Sequence, residues 1–575
     1  GRYYGDAVFD PFTASGYFDQ AVAGSPSPVF NNLRFGEPAV EPRGNALSFS
    51  AFFQGLLLDP QMLAGSSRQA TLLRVPFFEA TVGGGFVSDT GSPGWNGTIE
   101  MQGYQPLPFP VSFYAQVSGL EADTQQGLDT TSGLLRLEDR LISGSGYVAM
   151  QPGPYDRVVA YVNSSKLDNR LSAIPDPIIL PFGADLSDDG TTRTTNAGVA
   201  WSHTFGYRNV ANAALFYTNV DQNAVGTRLA ETGVGEVGTV VESGSLQQTY
   251  LAAASHTYGI GDWVFRYGAE GGKIDVATTE SATFYFPFIP PQSNSVSSDD
   301  SIDIGRIYFD ALYDITPNLK AEAGLFGTLM DGASVDEQRL EPRAGLAWTP
   351  AEGQYLRAAY MREPSSINYA TLAPVGVVGL QSNQIGLQPE GHSDTFAARW
   401  DAEWSSRFFT SVDYQHQELY DISLAIPATA QTLDLSQGRM DRLSATANLW
   451  IGGGLGAFAT LAYANSENQD PSSEGFGLAL PYIPEVAARV GLTYVHPSNV
   501  SVSLWGSYVG QRLGDVIGTE LEPFWTLDGA LQWEPLDKTV ALELSAYNLL
   551  DEEFQVATGT PGWGRTIVGT LKVRF

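Results

Sequence analysis

The chain contains no cysteine, which excludes disulfides, thiolate metal sites, haem attachment and cysteine nucleophiles. Charge is also sparse, at 16% of residues against about a quarter in a typical globular domain. No apolar run approaches the ~18 residues of a membrane-crossing helix, so any span must be built from strands. Histidine is rare: His203, His256, His392, His416 and His496 stand far apart, with no pair at metal-ligand spacing. A signal peptide is missing as well, and Gly1 reads as a processed start.

What is abundant points the same way. Glycine is the commonest residue at 62 copies, and aromatic residues make up 12% of the 575. Many strands, tight turns and aromatic belts would use such a composition. The net charge of −32 is far too acidic for nonspecific nucleic-acid binding, so no nucleic-acid partner is expected. The acidic groups are expected in loops and lumen, screened by water or divalent cations.

Alternation runs through the chain. In Val486–Tyr494, Val486, Ala488, Val490, Leu492 and Tyr494 oppose Ala487, Arg489, Gly491 and Thr493. Phe524–Trp533 sets Trp525, Leu527, Gly529, Leu531 and Trp533 against Thr526, Asp528, Ala530 and Gln532. Side chains switch faces at every strand residue, so each segment has an apolar and a wetter face. The apolar faces end in Trp or Tyr, as interfacial girdles do. The last strand, ending at Phe575 with no tail, suits the closing stave of a barrel.

Breakers mark eight short connections: 206–209, 259–262, 316–318, 349–353, 404–406, 452–454, 496–499 and 534–537. Between them lie longer polar or Pro-rich connections at 164–191, 220–242, 276–301, 362–389, 466–484 and 511–522. Regular alternation of short and long connections predicts a transmembrane antiparallel β-barrel of about 22 strands with short periplasmic turns and long outer loops. The all-β barrel is placed at 46–575, after an irregular lead-in or linker at 1–45. Residues 47–58 and 69–87 carry its first apolar runs, with a short helix at 56–63 as the alternative reading.

Other features are weighed against ordinary structure. Val82–Phe86 and Gly452–Gly456 are glycine-rich, but neither has a P-loop lysine or a following helix, so both read as turns or bulges. Ser411 and Asp413 share a strand face that His416 does not, which argues against a hydrolase. No enzymatic activity and no cofactor are expected. Asp185, Asp188 and Asp189, and likewise Asp299, Asp300 and Asp303, read as acidic loops of a composition suited to Ca²⁺. Phe284, Tyr285, Phe286 and Phe288 form an aromatic loop segment suited to gripping a ligand or partner. Strand parity places Arg489, Asp528, Glu543, Lys572 and Arg574 on the lumen wall, where cross-strand pairing is their main role.

Leu544–Phe554, with Asn548-Leu549-Leu550-Asp551 at its centre, then Gly564-Arg565 and terminal Phe575, resembles the closing hairpin of TonB-dependent receptors. Leu550 stands where that family has Phe. Tyr482-Ile483-Pro484, Leu340–Trp348 and Tyr355–Tyr360 are similar to the same barrel, so the resemblance covers about residues 300–575. It implies a monomeric barrel in the outer membrane of a Gram-negative bacterium, contacting membrane lipid and moving a solute. The family's plug and energy-coupling box are not identifiable in residues 1–100. Two alternatives therefore stand beside uptake. One is a plugless export or passive channel fed by a periplasmic domain; the other is a docking barrel holding a periplasmic or surface partner protein.

Overall fold

The computed structural model describes residues 77–574 except 88–92, 106–107, 129–132, 176–183, 233–234, 334, 365–370, 375, 383–384, 426–431, 536–538 and 563. The lead-in at 1–45 and the helix expected at 56–63 lie outside the described residues.

Strands β1 to β9 are, in order, Phe77–Val87, Pro93–Gln105, Val111–Leu128, Gly133–Met150, Asp156–Pro175, Ala184–Gly206, Asn209–Thr232, Gly235–Ile260 and Trp263–Phe286. Strands β10 to β18 are Ile289–Thr316, Leu319–Asp331, Asp336–Ala351, Gln354–Pro364, Leu387–Ser405, Phe408–Ala425, Thr432–Gly452, Leu455–Asn468 and Val486–His496. The remainder, β19 to β26, are Val500–Val509, Arg512–Leu513, Glu520–Leu521, Phe524–Trp533, Val540–Tyr547, Gln555–Ala557, Thr560–Pro561 and Thr566–Arg574. Twenty-two of them make one sheet, each antiparallel to its neighbours. The short pairs β20/β21 and β24/β25 are separate hairpins within connections. Pairing of β1 with β26, from Glu79↔Arg574 to Val87↔Thr566, closes the sheet into a barrel without edges.

The greasy face points out. On β10, Ile307, Phe309 and Ile315 are exposed, while Ile304, Arg306, Tyr308 and Asp310 between them are buried. The outward band from Gly305 to Ile315 is about 25 Å tall once a ~45° tilt is applied, the height of a hydrocarbon layer. At the turn end it finishes in aromatic residues, among them Trp201, Trp263, Trp348, Trp400, Trp450 and Trp533. Trp263 stacks on Tyr313 with ring centroids 4.3 Å apart. Seven of the eight expected tight connections fall at this one end; part of 534–537 is outside the described residues.

Three expectations need correction. First, 220–232, 235–242, 276–286 and 289–301 are strand rather than loop. β7 pairs with β8 as far as Thr232↔Gly235, and β9 with β10 as far as Phe286↔Ile289. The same holds for much of 164–191, since β5 and β6 pair up to Ala173↔Leu186. Both faces of these extensions meet water, so no apolar stripe betrays them, although Thr, Val and Ser still suit a pleated backbone. Second, Val82–Phe86 is neither turn nor bulge: it runs in unbroken register with both β2 and β26 at the closing seam. Third, the inner wall is not uniformly wet. Val159, Tyr161, Ala200, Phe216, Leu251 and Ile274 form a buried apolar cluster on the inward faces of β5 to β9.

The closing motif shows its physical purpose. The Asn548 amide nitrogen donates to the Glu552 carbonyl at 2.8 Å, and Asn548 Oδ1 accepts from Glu552 N at 2.9 Å. Asp551 then takes the Arg565 backbone N–H and guanidinium at 2.9 and 2.6 Å. Both Asn548 and Asp551 adopt positive φ, a conformation their short polar side chains tolerate. The two turns thus clip β23 to β26.

Candidate functional site

Charge concentrates on one arc of the inner wall. Inward positions of β9 to β14 carry Arg266, Glu270, Arg306, Asp310, Glu322, Glu341, Arg343, Arg357, Glu363 and Asp401. Arg266 Nε donates to Asp310 at 2.8 Å and its Nη2 to Glu322 at 2.6 Å. Arg306 pairs with Glu341 at 2.7 Å, and Thr328 donates to the same carboxylate at 2.6 Å. The guanidinium of Arg343 lies 4.1 Å from the Phe326 ring centroid, and that of Arg306 lies 5.0 Å from it. Charges buried this deeply persist because each is met by an opposite charge or an oriented donor.

The connection between β13 and β14 folds onto this arc instead of standing outside. Glu270 accepts hydrogen bonds from the Thr371 hydroxyl and from the backbone N–H groups of Leu372 and Ala373, the latter two at 2.7 and 3.2 Å. Glu322 accepts from Val378 N at 2.7 Å, and Glu363 from the Ser382 hydroxyl. In the other direction Arg343 donates to the Pro374 and Gly376 carbonyls at 2.8 and 3.1 Å, and Gln415 to the Gln381 carbonyl at 3.1 Å. Between these tethers Leu372, Ala373, Val377 and Leu380 pack on inward-facing apolar residues such as Met330, Phe326 and Met361. The result is a strap laid against this arc of the inner wall, fastened to β9, β11, β12, β13 and β15. A second layer covers the same side: Ile385 joins Leu480, Tyr482, Ile483 and Ala557 from neighbouring connections in one apolar cluster.

Asp470 anchors that cap. Its carboxylate accepts from the Ser472 hydroxyl and N–H at 2.6 and 2.8 Å and from Ser436 N at 2.9 Å. The Ser472 hydroxyl first, and then the Ser436 N–H, hold its pKa down at about 2. A depressed carboxylate stabilises the fold above its ordinary value near 3.8, and that contribution disappears as pH falls toward about 2. Amide protection factors in 469–485, taken relative to the intrinsic exchange rate at each pH, are therefore expected to fall between about pH 4 and pH 2, and Asp470→Asn to remove that dependence. Exchange with the same pH profile in both proteins would rule the anchor out.

The residues singled out by sequence fall as follows. Asp528 and Glu543 are buried on the inner wall, Lys572 reaches Glu543 at 3.5 Å, and Arg489 lies 5.5 Å over the Trp505 ring. The Arg574 side chain lies outside the described residues. Asp185, Asp188 and Asp189 are on strand β6, not in a loop, and Asp188 and Asp189 point to opposite faces. Asp188 is taken by Arg228 at 2.6 Å and Asp189 by Arg170 at 3.2 Å. Asp299, Asp300 and Asp303 lie on β10, where Asp300 accepts from Ser301 N and Ala333 N. Among the described residues no three acidic or histidine side chains converge as a metal site. Phe284, Tyr285, Phe286 and Phe288 crown the β9–β10 hairpin; Phe288 is 87% exposed, at φ 63°. His416 turns outward to Asp441 at 2.9 Å, away from Asp413.

Sequence reading missed the strap and its carboxylates. The usable signal was charge recurring at inward parity on successive strands, as in Arg266/Glu270, Arg306/Asp310 and Glu341/Arg343.

A family model described as "TonB dependent receptor-like, beta-barrel" matches residues 123–549. No curated protein matches the chain. Among solved structures, the siderophore receptor PiuA from Acinetobacter baumannii superposes with a TM-score of 0.62 at 14% identity, covering 87% of this chain and 82% of that one. The copper transporter OprC gives 0.61 at 13% identity, with 87% and 80% covered. The ferric yersiniabactin uptake receptor FyuA from Yersinia pestis also gives 0.61 at 13%, with the same coverage. At such identity the superpositions speak for the fold alone, and the family assignment rests on the sequence match. With that match spanning most of the barrel, the chain belongs to the TonB-dependent receptor-like β-barrel family.

Proposed function

We propose that this barrel carries a small solute across the outer membrane and that the strap between β13 and β14 is the obstruction that must move. The supporting observation is the strap itself, tied by Glu270, Glu322 and Glu363 from three strands. No covalent chemistry is involved. Solute is gripped at the loop end, where the aromatic crown of Phe284, Tyr285, Phe286 and Phe288 is available. It then passes along the charged arc when the tethers exchange partners. Similar barrels are named for siderophore, ferric yersiniabactin and copper uptake, so a metal chelate is the first solute to try. In this reading the energy for the movement comes from a periplasmic partner.

The cysteine-free chain permits a clean test. Glu270→Ala with Glu322→Ala removes the strap's tethers to β9 and β11, each charge-assisted bond worth ~1.5–3 kcal/mol, and single-channel conductance in KCl is expected to rise. A Cβ on Gly345 would lie 2.8 Å from Val377 Cγ1, so Gly345→Cys with Val377→Cys can bridge strap to wall. Oxidising that pair in the released background is expected to restore low conductance, and reductant to raise it again. Released barrels that conduct like the wild type, or conduct equally when bridged, would refute the gate.

A further inference from the structure

Closure removes sheet edges only up to the height at which every strand still has two neighbours. Above the lipid that condition fails at β10. Its pairing with β9 continues to the hairpin tip at Phe286↔Ile289, whereas its pairing with β11 stops at Asp303↔Asp331. The β11–β12 turn seals the next few residues: Ala333 N donates to Asp300 Oδ1 at 3.0 Å, and a Cβ on Gly332 would stand 2.9 Å from Ile302 Cγ1. From Gln292 to Asp299, about 24 Å of strand, β10 has one paired side and one open side. Every residue of that stretch is exposed, and among the described residues it pairs with β9 alone. Alternate residues along it turn both N–H and C=O to the open side, a row that one more strand would complete.

Exposed edges are ordinarily blunted by lysine, proline or a bulge. Here Pro290, Pro291 and the register break between Ile289 and Gln292 are confined to the tip. Below them, Gln292-Ser293-Asn294-Ser295-Val296-Ser297-Ser298 carries none of the three. Val296, in its middle, is exposed on the face that buried Ile302 and Ile304 mark as inward. Charge around the edge has one sign. The projecting segments 235–246, 276–286 and 289–302 contain Glu236, Glu242, Glu280, Asp299 and Asp300, and neither lysine nor arginine. Glu280 sits on β9 directly across from Val296, and Asp299 lies on the edge strand itself, facing the other way. A second copy of the chain fits poorly. Two barrels in one membrane are related by an axis along its normal, which would set both β10 strands parallel and level, N–H facing N–H.

We propose that the open edge of β10 takes up a cationic, extended peptide segment of a protein in the external medium as an added strand. The backbone row supplies the hydrogen bonds, Val296 meets an aliphatic side-chain stem, and Glu280 and Asp299 select lysine or arginine on the two faces. Only the wall outside the membrane is needed, so this assignment does not depend on the transport reading.

The test uses the purified full chain in nonionic detergent and a labelled octapeptide of alternating threonine and lysine, followed by fluorescence anisotropy at low salt. Wild type is expected to bind it and to ignore the threonine–glutamate counterpart. The cationic peptide N-methylated throughout keeps its charge but cannot donate, and should bind at least about tenfold more weakly for want of several backbone hydrogen bonds. Glu280→Gln with Asp299→Asn should weaken the unmethylated probe about threefold, as the loss of two exposed ion pairs would. Position is read by disulfide trapping, which the cysteine-free chain permits. A cysteine-bearing probe should be captured by Val296→Cys and not by Val241→Cys, which stands in the same wall between β7 and β9. Both sites are exposed, and heat-modifiable mobility on gels confirms that each variant is folded. Equal affinity for the methylated or the anionic peptide, unchanged affinity in the double variant, or equal capture at both cysteines would each overturn the proposal. So would Val296→Cys chains that cross-link to one another in preference to the probe.

Discussion

Gly85→Val is expected to abolish the assembled barrel. A Cβ at this position would stand 2.1 Å from the Ile567 carbonyl oxygen and 3.0 Å from Val568 Cα. Both are backbone atoms, so no rotamer change can make room. The neighbouring strands would have to separate where β1 meets β26, along the seam from Glu79↔Arg574 to Val87↔Thr566. An unclosed sheet in lipid exposes unpaired N–H and C=O groups, each costing several kcal/mol. Folded barrels keep a distinct electrophoretic mobility until boiled, and the variant should show only the unfolded band. Gly84→Ala is the control: its nearest foreign atom would be the Gly94 carbonyl oxygen at 3.8 Å, and it should fold normally. A Gly85→Val protein with the native band would show that the seam is not packed as described.

The second large effect is expected at Arg343. Its guanidinium bonds the Pro374 and Gly376 carbonyls and Glu363, and lies over Phe326. Truncation to alanine strands the Glu363 carboxylate in a buried site and frees the middle of the strap. Breaking a buried pair in this way costs ~3–5 kcal/mol. Arg343→Ala should therefore unfold at a clearly lower temperature in the same gel assay and leak current in a bilayer. Arg343→Lys should not rescue it, because one ammonium cannot reach three acceptors fixed by a planar fork. Arg343→Met with Glu363→Gln removes both charges and should recover much of the loss. If the single alanine variant melts with the wild type, the strap is not held from this side.

These effects mark where sequence reading stopped. The membrane-embedded strands were legible because lipid demands an apolar side chain at every second position. Val486–Tyr494 and Phe524–Trp533 obey that demand, with Val490, Leu492, Trp525 and Leu531 exposed and Thr526 and Asp528 buried. Turns were legible through explicit breakers: Gly452, Gly453 and Gly454 all take positive φ. The seam glycines looked alike in composition but sit in extended strand, since a run without side chains carries no periodicity to read. The tall hairpins were hidden for the opposite reason, polar residues on both faces. The strap lay furthest from view. Glu270 and Leu372 are about a hundred positions apart, and nothing local in either stretch announces the other.

The hairpins β7/β8 and β9/β10 continue past the lipid for more than ten residues, about 45 Å along β10 from Asp303 to its tip. On the far side of the circumference the connections lie low and packed over the opening. The mouth is thus lopsided, with a palisade on one flank and a threshold on the other. A bulky particle in the medium therefore meets a tall wall on one flank and a low rim on the other, and the two sides of the mouth differ in the steric barrier they raise.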